Sequence, residues 1–314
     1  VSASTAVQTR PAYRPYCAEV RAVQRLAPAF TRVTFTCDDF EYFGTTGLDQ
    51  RIKLILPMAD GTTSDFGQRD AEVLDAGLWY ERWRATPTER RSPLRTYTVR
   101  RVDPEAREID VDFVVHHGAG PAGAWAENAK PGDDLVIVGP DQRSEHSHLG
   151  ADWHPGTAKR LLLAGDETAV PAIGSILESL SSRCEVDALL EVPTSADIIP
   201  IDVPASFRIT WLPRDGAAHG ARLTQALQQW CLDSPEALAQ AAAPRPQQIA
   251  DIDVDVDLLW DSPADGEGEF YAWMAGEAAT IKTLRRHLVT TNGVDRKRVA
   301  FMGYWRLGQS EHQE

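Results

Sequence analysis

The residues Arg95-Thr96-Tyr97-Thr98-Val99-Arg100 place an aromatic ring, short hydroxyls and two guanidiniums on one short segment. They close a stretch from Arg82 to Arg101 that holds seven Lys and Arg residues in an otherwise acidic protein. On an extended strand alternate side chains share a face, so Tyr97 points opposite to Thr96 and Thr98. Such a strand offers a planar ring for stacking, a hydroxyl for hydrogen bonding and an arginine fork for a phosphate. A flavin dinucleotide needs all three. An exposed basic strand without a ligand accounts for the same residues, so what accompanies the segment must decide.

Three further segments accompany it. Asp112 to Ala126 reads as a strand ending at His116 and His117, a turn through Gly118, Ala119 and Gly120, and a helix start at Pro121-Ala122-Gly123-Ala124-Trp125. Pro121 suits a first helical position. Small residues let a ligand approach the backbone amides, and a helix N-terminus favours anions, so this turn can hold a pyrophosphate. An ordinary strand-to-helix turn is the competing explanation. Leu161 to Ile173 is an apolar strand, then Gly165-Asp166-Glu167-Thr168-Ala169, then a helix. Ligands of parallel sheets bind beyond the carboxyl ends of the strands, which puts Thr168 and the next amides where a nucleotide phosphate would lie. There is no GxGxxG pattern. Last, Tyr271–Ala278 and Gly303–Gly308 each end a strand and are expected on the edge facing the first half.

The elements that must position these residues fall into two kinds. The first half reads as strands at Tyr16–Arg25, Phe30–Thr36, Arg51–Leu56, Leu94–Val102, Glu108–His116 and Asp134–Val138, separated by Gly and Pro as in a barrel of short antiparallel strands. A Trp- and Arg-rich insertion, Asp60–Pro93, is expected to fold over it, and Pro121–Asn128 to be a helix. The second half alternates strands (Arg160–Ala164, Glu185–Val192, Phe207–Leu212, Phe270–Ala275, Arg298–Gly303) with helices (through Leu180, Leu223–Trp230, Ala278–Thr291). That alternation implies a parallel sheet with right-handed crossovers. The fold class is therefore an N-terminal antiparallel β-barrel over residues 10–150 and a C-terminal α/β domain over 158–314. Pro235–Gly268 reads as a long mobile loop.

Composition narrows the function. The chain has 314 residues, 43% hydrophobic and 25% charged, with a net charge of −14. That charge argues against binding nucleic acid or an anionic membrane surface. The four cysteines have no iron–sulfur or zinc spacing and fit a reducing compartment. No apolar run approaches the roughly 18 residues of a membrane span, and the N-terminus lacks the apolar centre of a signal peptide. A cytoplasmic monomer is expected.

Taken together, Arg95–Arg100, Asp112–Asp133, Ala164–Ile173, Tyr271–Ala278 and Gly303–Gly308, in this order and spacing, resemble the siderophore-interacting protein family. These are FAD-dependent ferric-siderophore reductases of the ferredoxin-reductase-like superfamily, and the resemblance runs from about Arg14 to Gly308. It implies FAD on the barrel and NADPH or NADH on the α/β domain. Arg95 would bind an FAD phosphate, with Thr96 beside it. Tyr97 would stack on the isoalloxazine, and Thr98 would lie near N5, which makes Tyr97 and Thr98 the catalytic candidates. His116 and the turn Gly120, Pro121, Ala122, Gly123, Ala124 and Trp125 would hold the diphosphate. Asp166, Thr168 and Ala169 would line the nicotinamide-nucleotide site, with Glu277 and Trp305 near the cleft. His117 stands where the family often has Gly, and Gly123 where it often has Ser, so a hydroxyl contact to phosphate is lost there.

The chemistry implied is release by reduction. Siderophores hold Fe(III) through hard oxygen donors, which bind the softer Fe(II) far less strongly. A nicotinamide gives two electrons and iron takes one, and a flavin converts between them. Lys282, Arg285 and Arg306 are the expected contacts to an anionic ferric siderophore, with Arg82, Arg84, Arg90, Arg91 and Arg286 as further candidates. A non-catalytic siderophore-binding protein, a general flavin reductase and reduced ferredoxin as donor are the alternatives. Glu191 could bind a ribose diol and Arg214 a 2′-phosphate, which leaves NADH against NADPH open. Two clusters tempt a metal: His146, His148 and His154 with Asp141 and Asp152, and the Asp251, Asp253, Asp255, Asp257 series. The second lacks the Gly and Glu of a calcium loop, with Val256 and Ser262 in their places. No metal site is expected.

Overall fold

The computed structural model describes residues 10–44, 46–115, 120–264, 266 and 268–309. The first half is one curled antiparallel sheet. Its strands are β1 (Tyr13–Ala27), β2 (Phe30–Thr36), β3 (Arg51–Ile55), β4 (Leu94–Thr98), β5 (Arg101–Asp103), β6 (Glu108–Val114) and β7 (Asp134–Pro140), in the order β4-β3-β7-β1-β2-β6-β5. β1 is longer than its sequence pattern suggests because it serves two partners. Tyr13–Glu19 pairs with β7, and Glu19–Ala27 with β2. Alternate residues Tyr16, Ala18 and Val20 face the interior with Phe35, Ile52, Leu54 and Phe113. Each large apolar side chain fully buried there contributes about 1.5–3 kcal/mol.

The expected strand Leu94–Val102 is broken into β4 and β5. Val99 N donates to Gln50 O beside β3, and Arg100 N donates to Asp110 O of β6. The chain changes partners at that corner and curls the sheet toward closure. The insertion holds α1 (Ala71–Ala76) and α2 (Trp79–Ala85). It packs Phe66, Val73, Trp79 and Trp83 over Ile55, Val136 and Val138 on the outer face of the barrel. α3 (Pro121–Asn128) has the bounds its sequence predicts.

The second half contains β8 (Arg160–Gly165), α4 (Val170–Ser179), β9 (Glu185–Val192), β10 (Arg208–Pro213), α5 (Ala221–Asp233), α6 (Pro235–Ala241), β11 (Trp260–Asp261), β12 (Phe270–Glu277), α7 (Ala278–Arg285) and β13 (Val299–Trp305). Strand order is β10-β9-β8-β12-β13-β11. β8 and β12 read as nearly continuous apolar runs, and β9 is buried beyond Glu185 although it carries Asp187 and Glu191, because helices cover both faces of the sheet. Connections reverse direction between β8 and β12, which is where open α/β sheets bind ligands.

Two expectations for this half are corrected. The sheet is mixed, because β11 joins β13 antiparallel. Pro235–Gly268 is not a structureless loop: it contains α6 and β11, and Ile249, Ile252 and Val254 pack on the domain core. The helix from Ala278 also changes character, passing into a π-helical turn over Arg286–Thr291 before Gly293 takes φ +70°.

The halves share a core. Ala27, Ala29 and Phe30 at the β1–β2 turn lie in one apolar cluster with Ile173, Ile176 and Val192. Ala29 N donates to Asp197 Oδ1 at 2.7 Å. Buried Asp49 accepts from Trp273 Nε1 of β12 and from Asp152 N, both at 2.9 Å. Arg100 reaches Glu178 of α4 through both terminal nitrogens, at 2.7 and 2.5 Å. No helix among the described residues is long and apolar enough to cross a membrane.

Candidate functional site

β4 is an edge strand, and Leu94 to Tyr97 are half-buried. Its register against β3 sets the faces: Tyr97 pairs with Ile52 and Arg95 with Leu54, while Thr98 pairs with Arg51 and Thr96 with Lys53. Tyr97 and Arg95 thus share one face of the strand, and Thr96 and Thr98 the other. The Tyr97 ring lies 4.7 Å from Phe113, which is 5.7 Å from Trp125, which stacks on Phe35 at 6.0 Å. This aromatic row connects the strand to α3. Arg95 Nη1 donates to Leu94 O at 2.7 Å, and Lys53 Nζ donates to Thr96 Oγ1 at 2.6 Å.

α3 begins at Gly120 with extended backbone, and no described side chain caps it. Pro121 has no N–H, so the amides of Ala122 and Gly123 are the first donors of the helix. Among the described residues, a side chain added at Gly120 would meet nothing within 4 Å. A helix start without a side-chain cap, beside an aromatic row, fits a dinucleotide diphosphate and ring. His116 lies outside the described residues, as do His117, Gly118 and Ala119.

The second group of expected residues converges on one carboxylate. Asp166, at the end of β8, is buried and accepts four hydrogen bonds. Thr168 N (2.9 Å) and Thr168 Oγ1 (2.5 Å) donate to Oδ1, and Glu277 N (2.7 Å) and Trp305 Nε1 (2.9 Å) to Oδ2. Burial, and then the neighbouring Glu167, raise its pKa from 3.8 to about 6. Gly276 makes this approach possible: with φ +150°, a Cβ there would stand 2.6 Å from Asp166 Oδ2. Ala169 is buried directly below, its N–H bonded to Asp166 O. Glu277 caps α7, its carboxylate accepting from Thr280 N at 2.8 Å.

Two consecutive residues of β13 join the groups. Trp305 reaches Asp166, while the hydroxyl of its neighbour Tyr304 lies beside the Thr98 side chain of β4. Burial pushes that hydroxyl well above its ordinary pKa. Trp260 of β11 stacks on Tyr304 at 5.8 Å, and the Arg51 guanidinium lies 4.4 Å over the Trp260 ring. Site-residue reasoning on the sequence missed Tyr304, Trp260 and Lys53. Alternation along Gly303–Gly308 carried the signal for Tyr304; nothing local marked Trp260.

The expected substrate contacts do not gather at this cleft. Arg285 is buried and donates to Asp261 Oδ2 at 3.0 and 3.3 Å and to Ala250 O at 3.2 Å. Lys282 pairs with Asp251 at 2.8 Å, and Arg306 donates to Asp257 O at 2.7 Å and Asp255 O at 3.2 Å. All three grip the Ala250–Asp261 segment, whose acids and carbonyls draw them. Among the others, Arg91 packs over Trp83 and Arg84 over Tyr80 within the insertion. Glu191 and Arg214 are not open to a ribose either. Arg214 binds Glu167 and Glu191, and all three are buried. Nor do the tempting metal clusters assemble. Asp141 holds Arg143 through both oxygens, and the described residues contain no group of three or more His, Cys, Asp or Glu placed for a metal. All four cysteines are free thiols.

Comparison with known proteins gives this geometry a family. Residues 19–144 match the siderophore-interacting FAD-binding domain and residues 158–308 the siderophore-interacting protein model. An uncharacterized protein of Mycobacterium tuberculosis is 33% identical over 298 residues, 93% of this chain and 90% of the relative. This chain belongs to the siderophore-interacting protein family. It is also similar to ferric vibriobactin reductase ViuB of Vibrio cholerae, 29% identical over 286 residues, 90% of this chain and 87% of that protein. The NADPH-dependent ferric-chelate reductase of Escherichia coli is 27% identical over 289 residues, 91% of each chain. Among solved structures, a siderophore utilization protein from T. fusca superposes with a TM-score of 0.68 at 29% identity, covering 97% of each chain. In family terms, β4, α3 and the aromatic row lie in the FAD-binding domain. Asp166, Thr168, Glu277 and Trp305 lie in the second matched segment.

Proposed function

We propose that this protein reduces ferric siderophores and releases Fe(II), using hydride from NAD(P)H passed through FAD on the barrel. The observation that carries the reading is the meeting of Tyr304 with Thr98 and of Trp305 with Asp166. It sets β4 of the first sheet beside the carboxyl-end edge of the second. Relatives named as ferric reductases support the same activity.

Bound FAD would take two electrons as hydride and pass them on singly, which is the conversion iron needs. The residues divide the remaining work. Tyr97 presents its ring, backed by Phe113, as the platform for the flavin. Arg95 and the first amides of α3 supply positive charge and N–H groups for the diphosphate. Thr98, its side chain beside Tyr304, offers a hydroxyl at the reacting edge. Asp166 holds Thr168, the Glu277 amide and Trp305 in one arrangement, and so shapes the floor where a nicotinamide would sit. Gly276 keeps that floor compact. Lys53, beside Thr96, adds a cation near the strand for an anionic ferric chelate, in place of Lys282, Arg285 and Arg306. Iron is substrate here and needs no protein ligand. A monomer in the cytoplasm, using a nicotinamide in preference to reduced ferredoxin, completes the proposal.

The test uses the purified full chain loaded with FAD. Anaerobic NADH or NADPH should bleach the flavin, and a ferric siderophore should restore its colour while an Fe(II) chelator traps the product. A protein that holds no flavin but still binds siderophore would instead be a carrier. Fast turnover of free flavin with no Fe(II) formed would make it a general flavin reductase. Bleaching by reduced ferredoxin but by neither nicotinamide would replace the donor.

A further inference from the structure

The carboxyl ends of β8, β9 and β10 carry a closed set of charges. Glu167 follows β8, Glu191 is the penultimate residue of β9, and Arg214 follows β10. They are 3%, 0% and 8% exposed. Arg214 donates to the two oxygens of Glu167 at 2.7 and 2.8 Å, and to Glu191 at 3.3 Å. Glu191 is used again, accepting from Gly220 N at 2.8 Å and Leu223 N at 2.9 Å at the start of α5. Two carboxylates therefore share one guanidinium. His219 borders it, with Nε2 3.5 Å from Glu167 and its ring edge-on to Trp305 at 4.9 Å.

A sheet of this order binds the adenosine end of a dinucleotide beyond its second and third strands. There an arginine takes a 2′-phosphate when the donor carries one. A helix N-terminus is the other ready anion site. In this chain both are already filled from within: the guanidinium by Glu167 and the start of α5 by Glu191. For Arg214 to reach a 2′-phosphate it must leave Glu167, which strands a buried carboxylate beside the incoming anion. A dinucleotide without that phosphate makes no demand on Arg214 and leaves its pair with Glu167 intact.

We propose that the site selects a nicotinamide dinucleotide without a 2′-phosphate, NADH, and that Glu167 sets the choice by holding Arg214. This rests on the hydride-donor reading above. The experiment is anaerobic bleaching of the FAD-loaded full chain over a range of NADH and NADPH concentrations. NADH should show a kcat/KM at least about tenfold higher, the scale of one charged hydrogen bond. Glu167→Gln loosens Arg214 and should move the ratio of the two donors toward NADPH by about tenfold. A variant that is only less stable lowers both rates together and leaves their ratio alone.

Equal or better use of NADPH by the unaltered chain would overturn the proposal, as would a ratio that Glu167→Gln does not move. So would NADPH use that Arg222→Ala abolishes, which would place the phosphate on the exposed cation in the first turn of α5. Bleaching by NADPH alone refutes only this choice of donor. Bleaching by dithionite but by neither nicotinamide refutes the hydride-donor reading as well.

Discussion

Asp166→Asn separates the charge of Asp166 from its shape. Burial raises this carboxyl from 3.8 to about 6. Folding therefore favours the protonated form. The group's contribution to stability is fully present below about pH 4 and is lost as pH rises through about 6. The whole span is worth about 3 kcal/mol at neutral pH. Roughly half of that accrues between about pH 5 and about pH 7.5. Asparagine has no such dependence. It accepts through one oxygen only, so its amide must face either the two Thr168 donors or Glu277 N and Trp305 Nε1. Two stranded donors cost about 2–4 kcal/mol at every pH. The variant should thus be less stable than the parent at pH 5, and the gap should narrow by about 1 kcal/mol by about pH 7.5. Urea unfolding of both proteins, saturated with FAD, across that range measures it. Flavin reduction by the nicotinamide should also slow about ten- to hundredfold, because Thr168 or Trp305 is displaced. Stability curves that stay parallel with pH would refute the assignment of a buried, proton-poised carboxyl. An unchanged reduction rate would refute its place in the donor site.

Tyr97→Ala should loosen FAD about ten- to hundredfold while Tyr97→Phe retains it, since the ring supplies the contact. Flavin absorbance after gel filtration reads this, and equal retention by the Ala variant would remove β4 from the site. Arg100→Met breaks the pair with Glu178 and takes a cation from beside Asp112, 3.8 Å away. It should cost about 2–4 kcal/mol in denaturant unfolding. Arg285→Ala should cost about 2–3 kcal/mol by stranding Asp261, yet leave the KM for ferric siderophore near its original value. A raised KM in a folded protein would return Arg285 to the substrate site.

Where neighbours along the chain decide structure, the sequence is easy to read. α3 has its predicted bounds because Pro121 starts it and glycines clear its approach. β2 follows from alternation of apolar and polar residues and β8 from an apolar run, each bounded by turns. The break at Val99 could not be seen, because Leu94–Val102 has one uninterrupted strand pattern and the switch of partners depends on Gln50 and Asp110. β11 was hidden behind an acidic Asp-x-Asp series that Arg285, Lys282 and Arg306 hold from elsewhere in the chain. The site shows the same divide. Asp166, Thr168, Glu277 and Trp305 stand in short motifs, and the structure brings them together. Arg214 meets Glu167 and Glu191 across 47 and 23 residues, and local pattern assigned two of the three to a ribose or its phosphate. Charges on one sheet edge find each other before they find a ligand, which spacing along the chain does not reveal.

The β1–β2 turn, with Ala29 bonded to Asp197 and Phe30 inside the core of the second half, acts as a plug seated in its neighbour. The two halves are therefore not interchangeable cassettes. A chimera joining this barrel to the α/β half of a distant relative would carry an apolar peg into a socket shaped for another sequence. An open reading frame split between them would yield two fragments with matching sticky scars. A substitution at Ala29, Phe30 or Asp197 would therefore disturb both halves at once.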